Sequence, residues 1–290
     1  MIDANVLVEA LPYVKEYSGQ IVVVKYGGNA MIDEDLKAAV IKDVTLLNLL
    51  GVHVVLVHGG GPEINEMLSK TNKESKFLNG LRVTDDETMD IVQMVLCGKV
   101  NKNLVNLLDK GIGLSGVDGS LFEASCLDSD LVNVGKIEKV NPQIILDTFE
   151  KGYIPVVSSV AKAIDKLGTY NINADLAASE LAISLHAKKL ILLTDVKGLM
   201  KDPKDESTLM ERVKVSQIPL LKKEKVITGG MIPKIECCVK ACREGVQSVN
   251  IQDGRVMHSL LIELLSDEGV GTLIESEEST GRIKIFNAYL

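Results

Sequence analysis

The chain has 290 residues, with 32 Lys and Arg against 40 Asp and Glu for a formal net charge of −8; it is 46% hydrophobic and 25% charged. At roughly 100–200 residues per domain, that length fits two domains or one large α/β domain, and the composition is that of a folded globular chain rather than a disordered one. With 3% aromatics and no Trp, it lacks the clustered positive charge and the stacking rings that nucleic-acid binding requires.

The N-terminal segment places Asp3 and Glu9 where a signal peptide carries basic residues. No apolar run approaches the roughly 20 residues of a membrane span, so a cytoplasmic location is expected. The five cysteines (Cys97, Cys126, Cys237, Cys238, Cys242) are odd in number and have no His or second Cys pair at zinc-ligand spacing. They read as small buried hydrophobes in a reducing compartment, and no protein-held metal is expected.

In chain order, Val6, Leu7, Ala10, Leu11, Val14 and Tyr17 form a helical stripe broken by Pro12, which predicts a kinked helix over residues 1–19. Ile21–Val24 reads as a strand ending at Lys25. The helix after it carries Leu36, Val40, Val44 and Leu47 on one face. A strand over Val52–Val57 leaves through Gly59-Gly60-Gly61, and Pro62 suits the first position of the next helix. Residues 86–109 predict one long helix. Asn141 and Pro142 open another, which ends at Gly152 and feeds a strand over Ile154–Val157. Helices over 174–186, 231–244 and 256–266 then alternate with strands over 190–193, 246–251 and 270–275. Continuous apolar strands joined by helical crossovers predict an α/β fold, a three-layer αβα sandwich around a mostly parallel central sheet. No Pro/Gly/Ser linker divides the chain; a boundary near residue 180 separates residues 20–180 from 181–290.

In such folds ligands bind beyond the C-terminal ends of the strands. After the first strand comes Lys25-Tyr26-Gly27-Gly28-Asn29, and after the second His58-Gly59-Gly60-Gly61-Pro62. Both clusters put backbone N–H groups at helix starts, an anion cradle. Neither is a dinucleotide GxGxxG or a GxxxxGK[ST] P-loop. Thr228-Gly229-Gly230-Met231-Ile232-Pro233-Lys234 is a third glycine turn opening a helix, and a lysine in the first turn is unfavourable unless an anion offsets it. Asp175, in Tyr170-Asn171-Ile172-Asn173-Ala174-Asp175, is either a helix-start acid or a counter-charge for the lysines. Arg82, in Gly80-Leu81-Arg82-Val83-Thr84, suits a two-pronged grip on a carboxylate or a surface salt bridge. The four histidines, His53, His58, His186 and His258, form no nucleophile–base arrangement with Ser or Cys, so hydrolase chemistry has no support.

These clusters, with Val24-Lys25-Tyr26-Gly27-Gly28-Asn29-Ala30-Met31 and Leu192-Leu193-Thr194-Asp195-Val196-Lys197-Gly198, stand in the order of one family and span nearly the whole chain. The chain resembles the amino acid kinase family, also carbamate kinase-like in fold, and within it the members that phosphorylate N-acetyl-L-glutamate in arginine biosynthesis. The resemblance implies that residues 20–180 bind N-acetyl-L-glutamate and 181–290 bind ATP, with Mg²⁺ held through the nucleotide. It implies that Lys25 and Lys234 neutralise the transferring phosphoryl group and that Asp175 orients both. Gly27, Gly28, Gly59 and Gly60 would present backbone N–H groups, Gly27 and Gly28 at the ATP phosphates and Gly59 and Gly60, with Gly61, at the substrate. Arg82 and Asn171 would hold the α-carboxylate and acetamido end, and Asp195 and Gly230 would lie at the nucleotide. A γ-carboxylate, with a reference pKa of about 4.3, is already ionised at pH 7. Its attack on a phosphoryl group needs alignment and positive charge rather than a general base.

Val117 stands where the family usually has Lys, and Ser158-Ser159-Val160 also departs from the commoner sequence. The N-terminal helix is similar to the one that links dimers into hexameric rings in arginine-inhibited members. That likeness implies a homo-oligomer, a dimer or trimer of dimers, and an arginine site at Tyr13, Glu263 and Gly269, with Asn250 replacing a usual histidine. The rival readings are a same-fold kinase acting on N-acetyl-aminoadipate, glutamate, aspartate or UMP, an inactive arginine-sensing protein, and a nicotinamide-dependent enzyme.

Overall fold

The computed structural model describes residues 4–277; Asp3 and the 278–290 end of the C-terminal region lie outside them. The N-terminal stripe forms α1 (Ala4–Glu9) and α2 (Leu11–Tyr17). The break falls at Ala10 rather than at Pro12, because a proline in the first turn of a helix gives up an N–H that has no intrahelical partner there. β1 (Ile21–Tyr26) leads to α3 (Glu34–Leu49), which Asp33 caps by accepting from the N–H groups of Asp35 and Leu36. β2 (His53–His58), α4 (Gly61–Lys70) and a hairpin of β3 (Phe77–Leu78) and β4 (Leu81–Arg82) follow.

The helix expected over 86–109 is three pieces: α5 (Asp86–Gln93), a π-helix (Met94–Val100) and α6 (Asn101–Asn106). Apolar residues recur every three or four positions through all three pieces (Met89, Val92, Val95/Leu96, Val100, Leu104), so the pattern gives no sign of the wider i→i+5 turn. Next come β5 (Gly111–Gly116), β6 (Phe122–Cys126), β7 (Gly135–Val140), α7 (Gln143–Glu150), β8 (Ile154–Ala163), β9 (Thr169–Asn171) and α8 (Ala174–Ser184). The last third holds β10 (Lys189–Thr194), β11 (Arg212–Lys214), α9 (Ile218–Lys223), α10 (Met231–Arg243), β12 (Ser248–Asp253), α11 (Ser259–Leu265) and β13 (Thr272–Glu275).

The protein is α/β with a large, mostly parallel mixed sheet, and the chain packs as two compact units. One comprises Val23–Gly28 and Val55–Leu185, here the central unit; the other comprises Met1–Val22, Asn29–Val54 and His186–Leu290, here the C-terminal unit. In the central unit β8 pairs in parallel with β2, β5 and β6, while β9 and β7 add antiparallel arms on β8 and β6. In the C-terminal unit β10 and β12 are parallel, and β13 runs antiparallel to β12 and parallel to β11. Leu190, Ile191, Leu192 and Leu193 of β10 are all fully buried, as expected of a strand covered on both faces.

Two polar clusters, around Glu263 and around His258, lock α11 of the C-terminal unit. Lys189 donates to Glu263 Oε1 at 2.7 Å, with side chains 4% and 0% exposed, and the Val270 N–H donates to the other carboxylate oxygen at 3.1 Å. His258, in left-handed backbone at φ 58°, meets Asp43 at 2.6 Å through Nδ1. Burial pushes the Asp43 carboxyl pKa up against the opposing pull of His258. Removing one member of a buried pair leaves an uncompensated charge. Lys189→Ala is therefore expected to cost about 3–5 kcal/mol in denaturant unfolding, and the double variant Lys189→Met/Glu263→Leu to recover most of that loss.

Candidate active site

In the central unit Lys25 lies at the end of β1 between the buried Val24 and Tyr26. Its ammonium meets Asp175 Oδ1 at 3.1 Å, the two side chains being 13% and 11% exposed. Asp175 sits in the first turn of α8, where the helix dipole favours a carboxylate. Asn173 caps that helix by accepting from the N–H groups of Asp175 (2.9 Å) and Leu176 (3.1 Å). A Cβ on Gly27 would lie 2.9 Å from Lys25 Nζ, so a side chain there would displace the ammonium. Gly28, at φ 72°, opens a short 3₁₀ turn over Gly28–Met31.

The second glycine cluster starts α4, and a Cβ on Gly60 would fall 2.7 Å from Leu96 Cδ2 and 3.2 Å from Val100 Cγ2. Both neighbours come from the π-helix. A cavity of about 170 Å³ opens beside this loop, lined by Gly59, Gly60, Gly61, Arg82, Asn171, Ser159 and apolar neighbours that include Leu81, Leu96 and Ile172. Arg82 is 8% exposed. Its guanidinium donates to Ser75 Oγ and, at 3.4 Å, to the Gly61 carbonyl, and it stacks 4.8 Å from the centre of the Phe77 ring. No carboxylate pairs with it among the described residues. Asn171 Nδ2 donates to Thr84 Oγ1 at 3.2 Å, and the Thr84 hydroxyl donates to the Arg82 carbonyl at 2.8 Å. Thr84 thus links the two residues expected to hold substrate. Ser159 entered the sequence reading only as a departure from the family pattern; its place in the cavity lining depends on the pleat of β8.

His58 ends β2 fully buried, its Nδ1 2.8 Å from the Gly59 carbonyl and its Nε2 3.1 Å from Asn101 Nδ2. Burial pushes its pKa down to about 4. Sequence reasoning missed this role, because Asn101 stands far along the chain on a segment expected to be plain helix.

The C-terminal unit collects the remaining residues. Asp195 is exposed just past β10. Beyond the same strand Lys197 pairs with Glu206, and past β12 Arg255 grips Asp253 through two 2.8 Å bonds. Gly229, at φ 52°, and Gly230 precede α10, and an added Cβ at either would meet nothing within 4 Å. The backbone is therefore open to approach there, with half-buried Lys234 in the first turn. A larger cavity of about 450 Å³ lies along α9 and α10 against Val239, Lys240 and Arg243 and touches none of the expected residues. Tyr13 donates from its hydroxyl to Asp267, and Glu263 accepts from Val270, so both tether the loop that carries exposed Gly269.

Residues 20–253 match the model of the amino acid kinase family. The acetylglutamate kinase of Clostridium beijerinckii is 56% identical over 277 residues, covering 93% of this chain and 97% of its own length. The chain belongs to the amino acid kinase family, among its acetylglutamate kinases. It is a carboxyl-acceptor phosphotransferase whose phosphoryl donor is ATP. A solved N-acetylglutamate synthase from Neisseria gonorrhoeae, complexed with coenzyme A and N-acetyl-glutamate, is similar at TM-score 0.83 and 25% identity, over 96% of this chain and 64% of that longer one. A second structure of that synthase, with coenzyme A and L-arginine, gives TM-score 0.80 and 25% identity over 95% and 66%. Among the described residues no helix is long and apolar enough to cross a membrane.

The buried imidazole has a measurable consequence for this kinase. Unfolded His58 titrates near its usual 6.5 and the folded residue near 4, so between those values the unfolded chain binds the extra proton. Stability is therefore complete above about pH 6.5 and falls as the pH drops toward 4, by about 3 kcal/mol from this residue. Urea unfolding at pH 7 and pH 4.5 is expected to show that slope, and His58→Asn to remove most of this share.

Proposed function

We propose that the protein transfers the γ-phosphoryl group of ATP to the γ-carboxylate of N-acetyl-L-glutamate, forming N-acetyl-L-glutamyl 5-phosphate in arginine biosynthesis. The observation that carries this reading is Arg82, a buried guanidinium at a small cavity with no carboxylate of its own among the described residues. A desolvated cation in that state calls for an anionic ligand, and a carboxylate accepts the guanidinium fork in two parallel bonds. The name of the Clostridium beijerinckii relative and the ligand of the synthase structure support the same substrate.

In this reading Arg82 holds the α-carboxylate and Asn171, oriented by Thr84, the acetamido end. Gly59, Gly60 and Gly61 receive the γ-carboxylate and the developing phosphoryl charge on backbone N–H groups. Lys25 neutralises that charge, with Asp175 holding its ammonium in place, and Gly27 and Gly28 add donors beside it. Lys234, Gly230 and Asp195 serve the nucleotide and its γ-phosphoryl group. Mg²⁺ would be carried on the nucleotide phosphates, held by their oxygens and its own waters. Bound there, Mg²⁺ supplies further positive charge to the phosphates.

Regulation by arginine through Tyr13, Glu263 and Gly269 is part of the proposal. It is supported by the gathering of these residues around α11 and by the arginine complex of the similar synthase. Assembly into homo-oligomers is supported by Val6, Leu7 and Val8 of α1, which are 61%, 69% and 62% exposed.

The test is incubation with MgATP and hydroxylamine, which traps an acyl phosphate as a coloured hydroxamate. N-acetyl-L-glutamate is expected to give the signal, arginine to suppress it, and N-acetyl-aminoadipate, glutamate and aspartate to give little. A stronger signal from another acid would reassign the substrate. Lys25→Ala is expected to lower kcat by about 10²–10³ and, by leaving the buried Asp175 carboxylate without its ammonium, to lower unfolding stability as well; near-full turnover would remove the role given to Lys25.

A further inference from the structure

Two backbone carbonyls decide the orientation of a buried amide and, through it, the tautomer of a histidine. Asn101, 1% exposed at the start of α6, turns its Nδ2 to the Val156 carbonyl (2.8 Å), the Leu114 carbonyl (3.2 Å) and His58 Nε2 (3.1 Å). Carbonyl oxygens only accept, so the amide nitrogen and not its oxygen faces this cluster. Its oxygen is turned to Gly113, where a Cβ would fall 2.0 Å from Oδ1; the absence of a side chain makes the orientation possible. His58 Nδ1 faces the Gly59 carbonyl, which only accepts, so Nδ1 donates and Nε2 is left to accept from the Asn101 amide. The imidazole, with its pKa near 4, is neutral at pH 7, and its one proton sits on Nδ1, where it is donated to the Gly59 carbonyl at 2.8 Å.

The peptide that receives this bond joins two glycines. With no Cβ on either side it is among the easiest in the chain to turn over. In a trans peptide the C=O and N–H point in opposite directions. Holding the Gly59 carbonyl against the buried imidazole therefore turns the Gly60 N–H away from it, and Gly59 and Gly60 both line the cavity that contains Arg82. Leu96 and Val100 of the π-helix pack within a Cβ's reach of Gly60, and the same helix runs directly into Asn101.

We infer that His58 and Asn101 are positioning residues: Asn101 sets the tautomer of His58, and His58, through the Gly59 carbonyl, fixes the Gly60 N–H as a donor to the anionic oxygen being phosphorylated. This rests on the function proposed above. The relay is electrically neutral, so it orients a donor without adding a charge that would compete with the phosphoryl group.

The test uses the full chain labelled with ¹⁵N-histidine, its four histidines assigned by substitution. Two-bond ¹H–¹⁵N spectra are expected to show His58 as the neutral Nδ1–H tautomer, unchanged from pH 5.5 to 8. An Nε2–H tautomer, or titration within that range, overturns the inference. Asn101→Asp replaces the donor with acceptor oxygens, so Nε2 takes the proton and the Nδ1 lone pair faces the Gly59 carbonyl. That variant is expected to switch the tautomer signal and lower kcat about 10- to 100-fold, with KM for ATP changed less than about twofold. A switched tautomer with full kcat overturns it. His58→Asn, which keeps an amide N–H near the Nδ1 position, is expected to retain kcat within about threefold of the parent, and His58→Leu to lose it about as far as Asn101→Asp does. Equal kcat in His58→Asn and His58→Leu also overturns it. Parent turnover on N-acetyl-L-glutamate judges the proposed function separately, since the spectra report the His58–Asn101 arrangement whatever the substrate proves to be.

Discussion

A guanidinium taken out of water needs an anion, and the central unit supplies Arg82 with neutral partners only: the Ser75 hydroxyl, the Gly61 carbonyl and the face of the Phe77 ring. Those contacts hold its plane and leave its charge uncompensated by any described carboxylate. A neutral partner set costs stability in the empty protein, and a carboxylate ligand returns it on binding. Lys25 is arranged the opposite way. Asp175 holds its ammonium at 3.1 Å, which fixes where the charge sits. One cation is thus left for the ligand to balance, and the other is positioned by the protein itself.

The C-terminal unit uses its buried charge differently. Lys189 and Glu263 satisfy one another, and Arg255 is committed to Asp253. Ahead of α10 the backbone at Gly229 and Gly230 is open, since an added Cβ at either would meet nothing within 4 Å. A site made of N–H groups and a nearby lysine suits phosphates, whose charge is spread over several oxygens. In the proposed reading the two units divide the work between a fork for a carboxylate and a helix start for phosphates.

Much of this was legible in the sequence because the informative residues follow strands. Lys25, Gly27, Gly59 and Gly60 stand at or just past the ends of apolar runs, and the fold rule for parallel strands directs the search for a site to that end. Other features were hidden for identifiable reasons. β5 reads Gly-Ile-Gly-Leu-Ser-Gly and lacks the apolar run that marks a buried strand. The antiparallel direction of β13 is set by the chain's return path past α11, which no local pattern records. The π-helix lies inside a run whose apolar residues still recur every three or four positions, so the pattern does not report its wider turn. The burial of Arg82 depends on a two-residue hairpin, too short to carry periodicity. His58 gave no signal because its partners are the carbonyl of the next residue, Gly59, and the Asn101 amide from a distant part of the chain.

The most direct measurement is calorimetric titration of N-acetyl-L-glutamate, without nucleotide, into the parent protein and into Arg82→Leu. If the unbalanced guanidinium is the carboxylate site, the parent binds and the variant loses at least about tenfold in affinity, with its unfolding midpoint unchanged or raised once the uncompensated buried charge is gone. Equal affinity in the two proteins would contradict this, and would place the acidic substrate somewhere other than the cavity beside Gly59, Gly60 and Gly61.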